Sequence, residues 1–524
     1  MDVHSRLETI DFVVIGVYAV SVIGLGLWVS YRRRASDDLF LAGRSFGWPS
    51  VGLSIFATNV NPSFMIASCG VAYTSGMVAA NFDWLAWFFL VLLAMLFVPH
   101  YLTTGVSTMP EFMHRRFGDA TYRFLSWYTL FTTMILWLGG ALYTGALLMS
   151  QIMGWPLWVA ALVLTVIATS FTVAGGLAAV IVTDVFQALL MIGGSLALTV
   201  IAFLQIGSID AVIAGVPDDY WRLIRPPSDA DFPWPAMFLG YPVLGLWFWC
   251  TDQTIVQRVL GARDVRQGQL GCVFTGYLKI LPPFIFMLPG IFCYVLHPNL
   301  PNPDEAFTVM VVNYLPAGMT GLIVAVLIAA LVSTLDSGLN SFSTVFTLDI
   351  YVKNFRPGAT PKEVKWLGRV ITVFVGALAV LIALALDTVG RDLFNLLQGV
   401  IAFVAPPMGA VFLIGVLWKR ATASAAFSTL VLGSIVSLGC GVCHFKQWPT
   451  KEFWPHYLLL SFYLFAGICA FMILVSLCTR HSPQEQPLAT LKETYAKQPS
   501  APRLVWGLWA ALAVIMLAIY FLFN

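Results

Sequence analysis

The sequence predicts an all-α integral membrane protein with about 14 transmembrane helices, each long enough to cross the hydrocarbon core. Its composition is 59% hydrophobic and 10% charged, whereas soluble domains carry about 25% charged residues. The apolar residues form long blocks rather than the alternating pattern of membrane β-strands. The predicted helices lie near residues 10–30, 47–71, 80–104, 124–153, 156–175, 178–206, 235–259, 268–296, 318–352, 366–387, 390–418, 421–443, 455–478 and 504–524.

The distribution of basic residues predicts the orientation of these helices in the membrane. Most of the 28 Lys and Arg residues lie in alternate loops, and cytoplasmic loops are enriched in Lys and Arg. We therefore predict that both termini lie outside, in the plasma or inner membrane of the cell. The first helix leads directly into Tyr31-Arg32-Arg33-Arg34, so we interpret it as a retained helix and not as a signal peptide.

The composition also argues against several classes of function. The net charge of +2 gives no indication of a nucleic-acid partner, and no obligate protein partner is evident. We predict that the chain is not an enzyme, because no soluble domain holds a catalytic constellation. Cys440, Cys443 and His444 form a C-x-x-C-H haem-attachment pattern. Such a short pattern arises easily by chance, so a sensor or haem-bearing redox protein is a remote alternative.

The second predicted helix contains an interruption, the sequence ATNVNPS at residues 57–63. Pro62 cannot donate a helical hydrogen bond, and it disfavours the α conformation at Asn61. The carbonyl groups near Ala57 to Val60 are then free to face a cation. An ordinary proline kink is the alternative, but the two adjacent asparagines favour a binding site.

A second stretch of this kind is WFWCTDQ at residues 247–253. Bulky aromatic side chains beside buried polar groups suit a solute pocket. The alternative is an interfacial aromatic belt with Asp252 and Gln253 at the inner end of the helix. Interrupted helices in corresponding positions of two halves indicate an inverted-repeat transporter with its site at the midplane, although no clear sequence repeat is visible.

The segment 318–352 carries a polar stripe. Ser333, Asp336, Ser337, Asn340 and Thr344 follow the spacing of one helical face. Their oxygen atoms suit sodium, a hard cation, whereas the alternative role for hydroxyl groups is bonding within and between helices. An intramembrane carboxylate is costly and usually functional, so Asp336 favours a site.

Other ionisable residues fall in apolar segments. Asp184 lies beyond a pair of glycines, and Lys279 lies between Tyr277 and Pro282, away from either helix end. A buried ammonium group needs an acceptor, so Asp83 or a solute hydroxyl is its expected partner. Snorkelling of Lys279 and solvation of Asp83 are the alternatives.

Motifs between about residues 10 and 478 carry a family resemblance. They are FLAGRS, TMPEF, TVAGGLAAVIVTDVFQ, WCTDQTIVQR, GYLK, LVSTLDSGLNSFSTVFTLDIY and LFNLLQGVIAFVAPP. In this order they resemble the sodium/solute symporter family, and more narrowly its sodium/glucose cotransporter branch. The resemblance implies a LeuT-type 5+5 inverted-repeat fold within one transmembrane domain, residues 1–524. Its expected parts are an extra helix at 10–30, repeats at 47–206 and 235–418, and additional helices at 421–524.

The resemblance implies that sodium is the coupling ion and that no organic cofactor is needed. The implied main sodium site consists of the carbonyl groups of Ala57, Val60 and Ala330 and the hydroxyl groups of Ser333 and Thr334. A second sodium site, present in some members, maps onto Asp184, Ser333 and Ser337. Asp336 adjoins it, in a position that a small or hydroxyl residue usually holds.

The resemblance also implies a small-molecule site that takes a sugar or similar polyol. Its residues map onto Asn59, Asp83, Trp249, Lys279 and Gln398. Asp83 replaces a longer glutamate, Phe64 replaces a polar sugar contact, and Phe248 stands where a gating tyrosine is common. We therefore expect sodium-coupled import of a hexose or similar polyol by alternating access, with inositol or an acidic sugar as the alternative solute.

Overall fold

The structure is a computed structural model that describes residues 7–32, 39–387, 393–480, 491–497 and 499–524, without the side chains of 63, 393–398 and 491. The chain is helical throughout these ranges apart from loops and two isolated bridges. The α-helices are α1 (Thr9–Arg32), α2 (Trp48–Asn59), α3 (Pro62–Ser75), α4 (Asn81–Trp84), α5 (Ala86–Leu92), α6 (Val98–Thr104), α7 (Met109–Phe117), α8 (Asp119–Thr132), α9 (Ala141–Met153), α10 (Leu157–Ile206), α11 (Ile209–Ala214), α12 (Tyr241–Thr251), α13 (Gln253–Leu260), α14 (Val265–Leu278), α15 (Leu288–Leu296), α16 (Ala306–Tyr314), α17 (Met319–Val345), α18 (Pro361–Asp387), α19 (Leu393–Leu417), α20 (Ala423–Phe445), α21 (Tyr457–Cys478), α22 (Leu491–Lys497) and α23 (Pro502–Leu522).

Several of these helices join into longer rods through π-helical turns, which are frequent near functional sites. The turns lie at Leu93–Phe97, Thr133–Gly140, Ala236–Gly240, Pro283–Met287 and Phe346–Phe355. Within the described residues, 11 helices are long and apolar enough to cross a membrane. The chain is therefore a multi-pass membrane protein. The count of fourteen stays a prediction, because two predicted helices fall within the 50 residues of α10.

The helix α17 forms the centre of the bundle. Almost every one of its residues is buried, and it contacts α1, α2, α10 and α18. By contrast, α1 and α23 expose most of their apolar side chains, as helices that face lipid do. The polar stripe predicted between Ser333 and Thr344 therefore faces protein on every side, where its hydroxyl and carboxylate groups can be hydrogen-bonded.

The helix α10 bends at Gly176, which separates the two predicted segments. Gly176 has φ 55° and ψ −148°, a conformation that is essentially restricted to glycine. The next residue, Leu177, donates its backbone N–H to the carbonyl oxygen of Leu39 at 3.0 Å. A Cβ atom at Gly176 would clash with that same oxygen. The bend thus places the loop before α2 against α10 at Gly176 and Leu177.

We expect Gly176→Ala to lower the thermal stability of the purified protein by several degrees. The strained backbone costs about 1–3 kcal/mol for a residue other than glycine, and the clash with Leu39 adds to it. Gly193→Ala is the matched control, because Gly193 lies in the same helix and nothing lies within 4 Å of its added Cβ. Melting curves in detergent measure both variants, and equal melting temperatures would contradict the assignment.

Candidate functional site

The chain leaves helical geometry between α2 and α3. Val60 has φ −82° and ψ 111°, and Asn61 is also extended. The side chain of Asn61 caps α3 by accepting the Phe64 backbone N–H at 2.7 Å. Because Pro62 has no N–H and Asn61 is extended, the last carbonyl groups of α2 lose their usual helical donors. These carbonyls, including that of Ala57, are thereby available to a cation.

The remaining residues of the predicted main sodium site lie on α17. The Thr334 hydroxyl donates to the Ala330 carbonyl at 3.0 Å, and both residues are buried. A hydrogen bond of 3.0 Å between the hydroxyls of Thr58 and Ser337 joins α2 to α17 beside them. Oxygen ligands of this kind suit a hard cation such as sodium. The fold thus brings the two predicted halves of the site onto adjacent helices.

Asp184 adjoins this site from α10. Its two carboxylate oxygens accept hydrogen bonds of 2.5 Å from Ser54 on α2 and Ser333 on α17. The guanidinium group of Arg258 lies 3.7 Å from the same carboxylate. All four side chains are completely buried. Asp184 therefore links three helices, and one of its hydrogen bonds goes to a predicted sodium ligand.

Arg258, the last residue of the WCTDQTIVQR motif, is a residue to which the sequence analysis assigned no role. It lies within α13 and is completely buried. It donates to the carbonyl of Thr254 at 2.9 Å and to the hydroxyl of Ser337. The signal that could have revealed it is the presence of buried carboxylates, which need a cation.

Asp336 lies beside this cluster on α17. One of its carboxylate oxygens is 3.2 Å from the Ser337 hydroxyl, and the other has no hydrogen-bond partner among the described residues. Ser337 also donates to the carbonyl of Ser333 at 2.6 Å. The residues of the predicted second sodium site thus lie together, and Arg258 contacts two of them, Asp184 and Ser337.

A cavity of about 180 Å³ lies beside the break between α2 and α3. Every residue of the predicted solute site whose side chain is described lines this cavity. These residues are Asn59, Phe64, Asp83, Phe248, Trp249 and Lys279. The side chain of Gln398 lies outside the described part of the chain.

Lys279 is the centre of this solute pocket. Its ammonium group donates to Asn59 at 2.6 Å and pairs with Asp83. It also lies 5.8 Å from the ring centroid of Phe64 and 5.7 Å from that of Trp249, within cation–π range. Lys279 is 3% exposed and Asp83 is 1% exposed. The alternatives of a snorkelling lysine and a solvated aspartate are therefore wrong.

A larger cavity of about 940 Å³ adjoins the solute pocket and shares Phe64, Phe82 and Tyr457 with it. Residues of the loops at 227–236 and 444–457 form much of its wall, on the side predicted to face outside. His444 of the C-x-x-C-H pattern belongs to this wall, and Cys440 and Cys443 are free thiols. We call this larger cavity the vestibule, because it adjoins the solute pocket on the side that is predicted to face outside.

Hydrogen bonds surround the break between α12 and α13, and one of them involves Trp137, which lines the solute pocket. The indole N–H of Trp137 donates to Asp252 at 3.0 Å, and Asp252 also caps α13 by accepting the Thr254 backbone N–H at 2.8 Å. The Tyr101 hydroxyl donates to the Cys250 carbonyl at 2.8 Å. Asp252 is 6% exposed, so the alternative of a solvated inner helix end is wrong. These hydrogen bonds tie α12 and α13 to the neighbouring helices next to the solute pocket.

Comparison with known proteins identifies the family. A sequence model of the sodium:solute symporter family matches residues 39–433, well over half of the chain. The chain belongs to the sodium:solute symporter family. Sodium is therefore its coupling ion, and the family implies no organic cofactor.

Individual members of this family are similar in sequence to this chain over most of their length. Sodium/glucose cotransporter 4 of Danio rerio is 33% identical, over 91% of this chain and 80% of the relative. Sodium/glucose cotransporter 1 of Sus scrofa is 34% identical, over 92% and 80%. These relatives confirm the resemblance to the sodium/glucose branch, and they are transporters rather than enzymes.

Among solved structures, the symporter fold recurs in a Na⁺-coupled sialic acid symporter. That structure, a substrate-bound outward-open state, has a TM-score of 0.79 at 22% identity and covers 91% of this chain and 99% of its own. The likeness supports a LeuT-like fold for this symporter.

Proposed function

We propose that this symporter imports a neutral hexose or similar polyol together with sodium, by alternating access. The observation that carries the proposal is the buried group of Lys279, Asp83 and Asn59 in a pocket that opens to the vestibule. Each solute hydroxyl both donates and accepts hydrogen bonds. An ammonium, a carboxylate and an amide supply both kinds of partner, and the indole of Trp249 offers a face for the ring. The sugar-transporting relatives support the same solute class.

The charge of the pocket favours a neutral solute over an acidic sugar. Lys279 already pairs with Asp83, so the two charges cancel. A solute carboxylate would have to displace Asp83 from Lys279 and leave a buried charge without a partner, which is costly. Inositol, a neutral polyol, meets no such penalty and stays the second candidate.

For sodium we propose the main site of Ala57, Val60, Ala330, Ser333 and Thr334. A second site would use Asp184, Ser333, Asp336 and Ser337. The break between α2 and α3 supports the coupling of sodium to solute, because Asn59 and Val60 are neighbours within it. Asn59 lines the solute pocket, while the Val60 carbonyl belongs to the proposed sodium site. A sodium ion that orders the break would also position Asn59 for the solute.

We further propose fourteen membrane spans, with inverted repeats at 47–206 and 235–418, the extra helix at 10–30 and additional helices at 421–524. Both termini would lie outside, in the plasma or inner membrane. The two breaks, at Asn61 and at Asp252, support the repeats because they fall in corresponding positions of the two halves. The vestibule supports an outward-facing state, in which the hydrogen bond from Trp137 to Asp252 closes the inner side.

Labelled glucose uptake into proteoliposomes tests this function. We expect accumulation against a gradient when sodium is outside, and none when choline replaces sodium at constant pH. Uptake that persists unchanged in choline would disprove the sodium coupling. In a competition panel, neutral hexoses or inositol should inhibit uptake and a sugar acid should not; inhibition by the acid alone would reverse the choice of solute.

A further inference from the structure

Asp83 lies in a very short helix. The helix α4 has only 4 residues, Asn81–Trp84, and it follows a 3₁₀ segment at Gly76–Ala80. An isolated helix of one turn is unstable, so contacts with other elements must fix the place of α4. One carboxylate oxygen of Asp83 pairs with Lys279, whereas the other has no hydrogen-bond partner among the described residues. This second oxygen is available to accept a hydrogen bond from a solute hydroxyl.

Asn81, two residues before Asp83, joins α4 to two other parts of the chain. Its side chain is completely buried, and both of its polar atoms have partners. The amide Nδ2 atom donates to the carbonyls of Val78 and Leu223, both at 2.8 Å. The Oδ1 atom accepts the hydroxyl of Tyr520, on α23, at 2.5 Å. Asn81 therefore attaches α4 both to the loop between α11 and α12 and to α23.

The loop and α23 are also joined to each other at this point. The backbone N–H of Leu223 donates to the carbonyl of Phe523 at 3.1 Å. The ring centroid of Phe523 lies 5.8 Å from that of Trp84, the last residue of α4. The indole N–H of Trp84 donates to the carbonyl of Ile280 at 3.2 Å, next to Lys279. Both ends of α4 thus contact the C-terminal end of α23.

The hydroxyl of Tyr520 is the only hydroxyl group within α23. Most of the apolar side chains of this helix are exposed, as expected for a helix that faces lipid. Tyrosines near helix ends commonly form an aromatic belt at the membrane–water interface, which is the alternative role for Tyr520. Its hydroxyl instead donates to an amide that is completely buried, so the contact links α23 to the interior of the protein.

We propose that α23 positions Asp83 for the solute, because the hydroxyl of Tyr520 holds Asn81 and with it the whole of α4. The inference rests on the proposed function, in which Asp83 and Lys279 bind the solute. Tyr520 does not line the solute pocket, so it acts through Asn81 and is a positioning residue. A hydrogen bond between a hydroxyl and a carboxylate requires an oxygen–oxygen distance of about 2.5–3.0 Å. A small displacement of α4 would therefore weaken the binding of the solute.

Glucose uptake by Tyr520→Phe in proteoliposomes tests this proposal. The substitution keeps the ring, whose centroid lies 6.1 Å from that of Phe238, and removes only the hydroxyl group. We expect the half-saturating glucose concentration to rise roughly three- to tenfold, as for the loss of one hydrogen bond. The maximal rate and the equilibrium binding of ²²Na⁺ to the purified protein in detergent should stay at the wild-type values. An unchanged half-saturating concentration would overturn the proposal.

Tyr495→Phe is the matched control. The Tyr495 hydroxyl donates to the Met95 carbonyl at 2.7 Å, so it joins another C-terminal helix, α22, to the segment after Asp83. This variant should keep the wild-type half-saturating glucose concentration, and an equal rise in both variants would contradict the proposal. Asn81→Ala breaks the hydrogen bond with Tyr520 from the other side. If Tyr520→Phe does not fold, an unchanged half-saturating concentration in a folded Asn81→Ala protein has the same consequence.

Melting temperatures in detergent separate this inference from the proposed function, because they require no solute. If Tyr520 acts on the pair of Asp83 and Lys279, the effects of Tyr520→Phe and Asp83→Asn should be less than additive in the double variant. Coupled effects without any sodium-driven glucose uptake by the wild type would refute the solute assignment and leave the role of Tyr520 intact. Additive effects with sodium-driven glucose uptake by the wild type would refute the role of Tyr520 alone.

Discussion

Lys279→Met is expected to reduce glucose uptake roughly 10- to 100-fold while ²²Na⁺ still binds, because a lost hydrogen bond to a charged group costs about 1.5–3 kcal/mol. Methionine keeps the apolar stem of lysine but removes the donor to Asn59 and the partner of Asp83. Removing one member of a buried ion pair also destabilises the fold by about 3–5 kcal/mol, so uptake is expressed per amount of folded protein. Initial rates of labelled glucose uptake into proteoliposomes measure the effect on transport, and detergent binding measures the effect on sodium.

The same substitution at Lys451 is the matched control. Lys451 lines the vestibule but not the solute pocket, so Lys451→Met should transport at nearly the wild-type rate. The double variant Lys279→Met with Asp83→Asn removes both charges, and it should regain thermal stability without regaining uptake. Uptake above half of the wild-type rate in Lys279→Met would exclude the lysine from the solute site.

Much of the solute and sodium chemistry could be predicted from single residues, since an ionisable group in an apolar helix is costly to bury. This reasoning identified Asp184, Asp336 and Lys279, and each of them is indeed buried in a polar cluster. The interruption at Pro62 could also be predicted from the sequence, because proline lacks a backbone N–H donor. The residue types and their neighbours in sequence were therefore sufficient to predict these individual site residues and the helix break.

The pairing of these groups could not be predicted in the same way. Arg258 contacts Asp184 across 74 positions of the sequence, and the hydrogen bond from Trp137 to Asp252 spans 115. Arg258 lies next to the end of the predicted helix 235–259, where a charged side chain is usually solvated. The fold instead extends α13 past that point and covers it with α17. Only the packing of helices distant in sequence decides which buried charges meet.

Ser333→Ala should raise the sodium concentration for half-maximal uptake roughly 10- to 100-fold, from a loss of about 1.5–3 kcal/mol per hydrogen bond to a charged group. The substitution removes a proposed sodium ligand and also the 2.5 Å hydrogen bond to Asp184. Both losses act on sodium binding, so the maximal rate at saturating sodium should largely recover. Glucose uptake measured over a range of sodium concentrations separates the two parameters.

Ser343→Ala provides the comparison for this effect within the same helix. The Ser343 hydroxyl is also buried, but it donates to the Gly368 carbonyl at 2.7 Å, away from Asp184. Its loss should leave the sodium dependence unchanged. Equal shifts in both variants would mean that α17 has loosened as a whole, and no shift in Ser333→Ala would remove this residue from the sodium site. A shift confined to Ser333→Ala would support sodium coordination by the hydroxyl that links α17 to Asp184.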